Sequence, residues 1–173
     1  MTSRVGLFYG SSTCYTDIAA EKIRDELGAA LVDVFDIAEH SLTLANRYHR
    51  LIFGIPTWDY GELQEDWEAA WPALNDIDWS GKSVAIYGLG DQLGYPDWFQ
   101  DAMGYLWAHI AKSGGNMVGF WPSTGYDFRA SQALTADGDL FVGLALDEEN
   151  QFELSEERIA LWCTQIRREF GLA

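Results

Sequence analysis

The segment 5–17, VGLFYGSSTCYTD, decides how the rest of the chain is read. An apolar run of buried-strand character, VGLFY, gives way to Gly10. Four hydroxyl side chains follow, Ser11, Ser12, Thr13 and Thr16, just as a helical pattern begins. A strand that ends in a polar loop and opens a helix is the repeating unit of a parallel α/β sheet. The unit recurs. RVGLFY (4–9), LVDVFD (31–36), RLIFGIP (50–56) and SVAIYGLG (83–90) read as strands, and NMVGFWP (116–122) begins a fifth.

Amphipathic segments separate these runs. Residues 16–28 form a helix with Ala19, Ile23 and Leu27 on one face and Gly28 as its stop. Residues 63–76 form a short helix bent at Pro72. Residues 98–115 form a helix with Phe99, Met103, Leu106 and Ile110 toward the core. Residues 154–171 close the chain as a helix, with Ser155 as N-cap and Leu154 and Ile159 as a hydrophobic staple. Continuous apolar strands alternating with helices imply a doubly wound five-stranded parallel sheet covered on both faces. The polar segment 123–139 breaks the rhythm before the apolar run LFVGLALD (140–147), so it reads as an insertion splitting the last strand. No repeat or linker interrupts residues 1–173, which are expected to form one domain.

Composition narrows the function. Of 173 residues, 48% are apolar, which suits a packed core. The formal net charge of −16 disfavours nucleic acid and anionic membranes as partners. Residues 57–101 hold ten acids against one base, Lys82. That stretch reads either as a solvated surface or as a docking face for basic partners. No apolar run reaches the roughly 18 residues of a membrane span, and the N-terminal residues lack a signal-peptide pattern. A cytoplasmic protein is expected. Cys14 and Cys163 are not in a CxxC, and the three histidines show no metal-ligand spacing, so neither a disulfide nor a metal site is expected.

In open α/β sheets ligands bind beyond the carboxyl ends of the strands. Three such ends stand out: GSSTCYT, TWDYGE and LGDQLGYPDW. A helix N-terminus offers unpaired N–H groups and a partial positive charge, a ready phosphate site, and hydroxyls add neutral donors. The loop matches neither GxxxxGK[ST] nor GxGxxG. It suits a monophosphate held without a cation, or an ordinary serine-rich turn capping a helix. Trp58 and Tyr95 follow different strands yet open onto one crevice, where two aromatics make a slot for a flat ring. Together these features point to a flat heterocycle with a phosphate tail.

At this level the sequence resembles a flavodoxin of the long-chain type. TWDYGELQEDWEA (57–69), YGLGDQLGYPDWFQDAMG (87–104), GYDF (125–128) and FVGLALDEENQ (141–151) are similar to long-chain segments in the same order, and FYGSSTCYT (8–16) resembles the loop of the second enterobacterial type. The resemblance implies bound FMN and a flavodoxin-like strand order, 2-1-3-4-5. It implies that Ser11, Ser12, Thr13, Cys14, Tyr15 and Thr16 hold the phosphate, and that Trp58 and Tyr95 flank the isoalloxazine. Thr57, Asp59, Tyr60 and Gly61 would lie by its N5, and Leu89, Gly90, Asp91 and Gln100 by its pyrimidine side.

Two positions depart from the family pattern. Cys14 stands where glycine is usual, so either the backbone angle differs or the side chain packs away from the phosphate. Cys14 is expected to be a packing residue, not a redox thiol. Asp59 stands at a position whose peptide, in flavodoxins, turns its carbonyl toward N5 on reduction, and the turned form is expected to place Asp59 at φ > 0.

The function implied is a low-potential carrier of single electrons on non-covalent FMN, cycling between semiquinone and hydroquinone. It is expected to be a monomer and not an enzyme, serving basic-faced redox proteins such as an NADPH-dependent flavodoxin reductase and acceptor enzymes. The negative phosphate and acidic face oppose further negative charge on the flavin. Two unit charges ~10 Å apart at an effective dielectric of ~20 repel by ~1.7 kcal/mol, or roughly 70 mV for one electron. The alternatives are an FMN-dependent NAD(P)H quinone reductase on the same fold, and a non-redox module that binds another phosphate ligand.

Overall fold

The computed structural model describes residues 2–172. Its centre is a parallel sheet of β1 (Thr2–Tyr9), β2 (Val32–Asp36), β3 (Tyr48–Trp58) and a strand at Ser83–Leu89. Between the last two come β4 (Glu62–Leu63), α2 (Glu65–Ala70) and a 3-10 turn, Trp71–Asp76, so the strand Ser83–Leu89 is β5. The remaining α-helices and strands are α1 (Tyr15–Leu27), α3 (Asp101–Lys112), β6 (Asn116–Met117), β7 (Trp121–Pro122), β8 (Leu140–Phe141), β9 (Leu144–Leu146) and α4 (Ser155–Glu169).

The order across the sheet is β2-β1-β3-β5-β6, with β9 also beside β5. This is the expected 2-1-3-4-5 arrangement, with the fifth position shared by two short strands. β6 pairs with Ser83 and Val84, whereas β9 pairs farther along, Tyr87 with Leu144 and Leu89 with Leu146. The insertion therefore does split the last strand, although the chain leaves the sheet earlier than Pro122. Val118 still donates to the Val84 carbonyl at 2.9 Å. Gly119 then adopts φ +83, and its carbonyl accepts from the Trp162 indole. Trp121–Pro122 instead pairs antiparallel with Leu140–Phe141, outside the main sheet.

Alternation along each strand builds two cores, because both faces of the sheet are covered. Leu51, Phe53, Val84 and Ile86 point to the side of α2 and α3, meeting Trp67, Met103, Leu106 and Ile110. Val5, Leu7, Ile52 and Ala85 point to the side of α1 and α4, meeting Ala19, Ile23, Ile159, Trp162 and Ile166. Tyr87 crosses so close to Gly54 that a Cβ there would lie within 2.3 Å of its hydroxyl oxygen. That approach lets the Tyr87 hydroxyl donate to the Thr16 carbonyl at 2.8 Å, anchoring the start of α1 to the middle of the sheet.

Three local expectations change. The helix of 63–76 breaks where Pro72 enters, leaving a single α-turn and a 3-10 turn. The helix of 98–115 starts only at Asp101, because Gln100 sits at φ 63. Phe99 is buried all the same, from the preceding loop. Ser155 is not an N-cap: a 3-10 turn, Phe152–Leu154, runs straight into α4, so Ser155 is already helical and its Oγ is buried without a partner.

Candidate functional site

The loop from Gly10 to α1 lies where β1 ends. Gly10 has no room for a side chain, since a Cβ there would come 2.5 Å from Gln64 Oε1 and 2.8 Å from the Trp67 ring. The first turn of a helix leaves N–H groups without helical partners, and the side chain of the N-cap, Cys14, satisfies none of them. Cys14 adopts a left-handed backbone, φ 68 and ψ −6, the region that favours glycine. Its thiol is exposed, so it is not a packing residue: the left-handed turn points its Cβ outward. Thr16 is buried and ends the loop. Ser12 and Thr13 are exposed, and Tyr15 is partly so. The Oγ of Ser11 is buried with no hydrogen-bond partner. Burying a hydroxyl unpaired is costly, so Ser11, just ahead of a helix start, fits a cradle for an anion.

The second wall is the turn between β3 and β4, where Trp58 pairs with Glu62. Asp59 adopts φ 42 and Gly61 φ 85. A Cβ at Gly61 would sit 3.0 Å from Asp101 Oδ2. Asp101 is buried at the head of α3, and that burial raises its carboxyl above the usual range, against the opposing hydrogen bond from the Gln132 N–H. The next N–H of α3, from Ala102, donates to Thr57 Oγ1 at 3.0 Å. The Tyr60 ring stands edge-on to Tyr95 and Trp98, with centroids 5.9 and 5.0 Å away.

The third wall is the loop after β5. Gly90 donates to the Leu146 carbonyl. Asp91 Oδ1 accepts from Leu93 N at 3.2 Å and Gly94 N at 2.7 Å of its own loop and from Asn150 Nδ2 at 2.7 Å of the loop after β9, so one oxygen of the carboxylate is committed to holding the two loops. The Asp59 carboxylate beside Tyr95, as an acceptor for its hydrogen and by its charge, raises the phenol's pKa.

These walls enclose a cleft of about 210 Å³. Thr13 and Tyr15 line it from the first loop, Thr57, Trp58 and Asp59 from the second, and Leu89, Gly90, Asp91 and Tyr95 from the third. Ser11, Ser12, Cys14 and Thr16 belong to the adjoining loop, not the lining. Tyr60, which is exposed, and Gly61, which is buried beside Asp101, do not line the cleft. Gln100 is fully buried, and its Nε2 donates to the Gly88 and Leu146 carbonyls at 3.2 and 3.0 Å. Pro56, Glu148 and Glu149 also line the cleft and were missed by sequence reasoning. The two glutamates follow β9, the carboxyl end of the split strand, so the strand-end rule applied there would have found them.

The cleft thus has an apolar floor, an aromatic on either side and a rim of carboxylates, and its lining residues include no Lys, Arg or His. Such a slot takes a flat ring, and the adjoining helix start with its orphaned Ser11 hydroxyl takes a phosphate. The residues fit a phosphorylated planar cofactor. Among the described residues no His, Cys, Asp and Glu cluster could hold a metal ion, and no helix is long and apolar enough to cross a membrane.

Comparison with known proteins gives one answer. The flavodoxin family model matches residues 7–162. Flavodoxin 2 of Escherichia coli (strain K12) is 57% identical over 167 residues, 96% of each chain. The flavodoxin of Nostoc sp. (strain PCC 7120 / SAG 25.82 / UTEX 2576) is 49% identical over 172 residues, 99% of this chain and all of its own. A solved structure of Fusobacterium nucleatum flavodoxin bound to flavin mononucleotide superposes with a TM-score of 0.91 at 32% identity, covering 98% of this chain and 99% of the other.

Proposed function

This chain belongs to the flavodoxin family, and we propose that, as one domain spanning residues 1–173, it carries single electrons on non-covalently bound FMN. The observation that carries the reading is the pairing of a two-aromatic cleft with an adjoining helix start that buries an unpartnered serine hydroxyl. When bound, FMN supplies the redox chemistry. Trp58 and Tyr95 would orient its ring, and Ser11, Ser12, Thr13 and Thr16, with the first N–H groups of α1, would hold its phosphate. The carboxylates of Asp59, Asp91, Glu148 and Glu149 would oppose added negative charge on the ring and so keep the carrier strongly reducing.

The electrons would come from a basic-faced NADPH-dependent flavodoxin reductase and pass to basic-faced acceptor enzymes. The exposed acids Glu62, Glu65 and Glu68 beside the cleft support such docking. The protein would act as a monomer in the cytoplasm, a compartment that keeps free thiols such as Cys14 and Cys163 reduced. The test is a visible spectrum during stepwise reduction, together with an FMN titration of apoprotein. The expected result is tight binding with quenched flavin fluorescence, weakened about tenfold or more by Trp58→Ala, since ring stacking is worth ~1–3 kcal/mol. Steady NADPH oxidation by the protein alone would favour a quinone reductase, and refusal of FMN would favour a module for another phosphate ligand.

A further inference from the structure

Gln64 sits between the phosphate loop and the β3–β4 turn, and it is 1% exposed. It caps α2, its Oε1 accepting from Trp67 N at 3.4 Å. Its Nε2 donates to Asp66 Oδ2 at 2.7 Å and lies 3.0 Å from Ser12 Oγ. Chemistry fixes the orientation of this amide. An ionised carboxylate only accepts and a backbone N–H only donates, so the nitrogen must face Asp66 and the oxygen Trp67. The Oε1 is packed against Gly10, where even one added carbon would collide. The second hydrogen on Nε2 therefore points at Ser12, and Ser12 Oγ is an acceptor in that bond. Its own hydrogen is left to donate elsewhere in the loop that opens α1.

We propose that Gln64 is a positioning residue for phosphate recognition: it turns the Ser12 hydroxyl into a donor toward the bound phosphate and so sets the preference for a phosphorylated over a dephosphorylated flavin. This rests on the FMN reading above. Gln64 does not line the cleft, so it acts through Ser12. It also joins the two halves of the site, because the residue that orients the phosphate loop is the cap of the helix that follows the β3–β4 turn.

Apoprotein is titrated with FMN and with riboflavin by fluorescence quenching, for the native chain, Gln64→Met, Gln64→Glu with Asp66→Asn, Ser12→Ala, and both Gln64 variants combined with Ser12→Ala. One charge-assisted hydrogen bond predicts that Gln64→Met weakens FMN about fivefold to tenfold while riboflavin affinity stays within about twofold. Gln64→Glu, made together with Asp66→Asn so that no second carboxylate faces it, should cost FMN more, because a carboxylate accepts the Ser12 hydrogen and turns it away from the phosphate. It keeps the acceptor that α2 needs, so it serves if Gln64→Met fails to fold. In the Ser12→Ala background both losses should shrink. Equal weakening of FMN and riboflavin, or losses that persist undiminished in Ser12→Ala, would overturn the proposal and leave the FMN reading standing. A native chain that binds no FMN would overturn that reading instead.

Discussion

The Asp59 carboxylate faces the Tyr95 phenol, so two loops that follow different strands meet at the cleft. The carboxylate favours the neutral phenol, as an acceptor for its hydrogen and by its charge, and holds the Tyr95 pKa above the ordinary value. Asp59→Asn removes the charge. The Tyr95 phenol should then ionise at lower pH, seen as an earlier tyrosinate absorbance step that is missing in Tyr95→Phe. An unchanged step would mean that the two side chains do not meet in solution.

Asp59 adopts a left-handed backbone, φ 42. A side chain in that region costs ~1–2 kcal/mol relative to glycine, with aspartate at the low end. Asp59→Gly should therefore raise the melting temperature by roughly 2–4 °C for ~1 kcal/mol in a chain of this size. With that backbone kept throughout reduction, Asp59→Gly and Asp59→Asn should raise the first midpoint potential alike, through the lost charge. A glycine shift exceeding the asparagine shift by ~40 mV, the one-electron equivalent of ~1 kcal/mol, would show that the strain is taken up on reduction.

Cys14 bears the same backbone cost at φ 68. Cys14→Gly should stabilise the protein by about 1 kcal/mol, and Cys14→Ser should retain FMN. Burial pushes the Cys163 thiol up to about 12. A thiol reagent should thus label one cysteine in the native chain, Cys14, and reach Cys163 only after denaturation. Rapid labelling of both would contradict the packing of α4 against the sheet.

Most of the sheet was legible because strands buried on both faces are continuous apolar runs, and VGLFY, RLIFGIP and SVAIYGLG state their positions without help. The hairpin strand Glu62–Leu63 was not, since two residues carry no period. Nor was the early exit of the fifth strand: NMVGFWP is apolar throughout, and only the φ of Gly119 and the indole of Trp162 divert it. At the site, strand-end loops revealed the aromatics and the hydroxyls. Gln64 stayed hidden because its role depends on Asp66 and Trp67 fixing its amide, a three-way geometry that no spacing rule encodes. Ser155 misled because a serine before a helical pattern looks the same whether or not a 3-10 turn precedes it.

The acidic surface should govern partner encounter. Glu62, Glu65 and Glu68 are exposed, whereas Asp66 accepts from Gln64 and belongs to the support of the phosphate loop. Reversing the charge of those three glutamates, with Asp66 left intact, should slow electron transfer from the proposed reductase at low salt. The defect should fade as ionic strength rises, because the Debye length is only ~10 Å at 0.1 M. A defect that ignores salt would place the damage in the cofactor site instead.

Asp147 is fully buried just after β9, and two residues supply the four hydrogen bonds that its carboxylate accepts. Gln92 donates from N at 3.0 Å and Nε2 at 2.7 Å, and Asn150 from N at 3.0 Å and Nδ2 at 2.9 Å. Asn150 Nδ2 reaches Asp91 as well, and Gln92 Oε1 accepts from Asp127 of the insertion. One carboxylate therefore gathers the loop after β5, the loop bearing Glu148 and Glu149, and the insertion. Asp147→Ala leaves several buried donors unpaired at ~1–3 kcal/mol each, so a loss of about 3 kcal/mol or more is expected, with weaker FMN binding as both loops loosen. Asp147→Asn retains an oxygen for the three donors on Oδ2 and sets an amide against Asn150 N–H alone, so it should cost less than half as much. Denaturant unfolding of the apoproteins checks the order. Equal stability of Asp147→Ala and the native chain would show that the two loops are held by something other than this carboxylate.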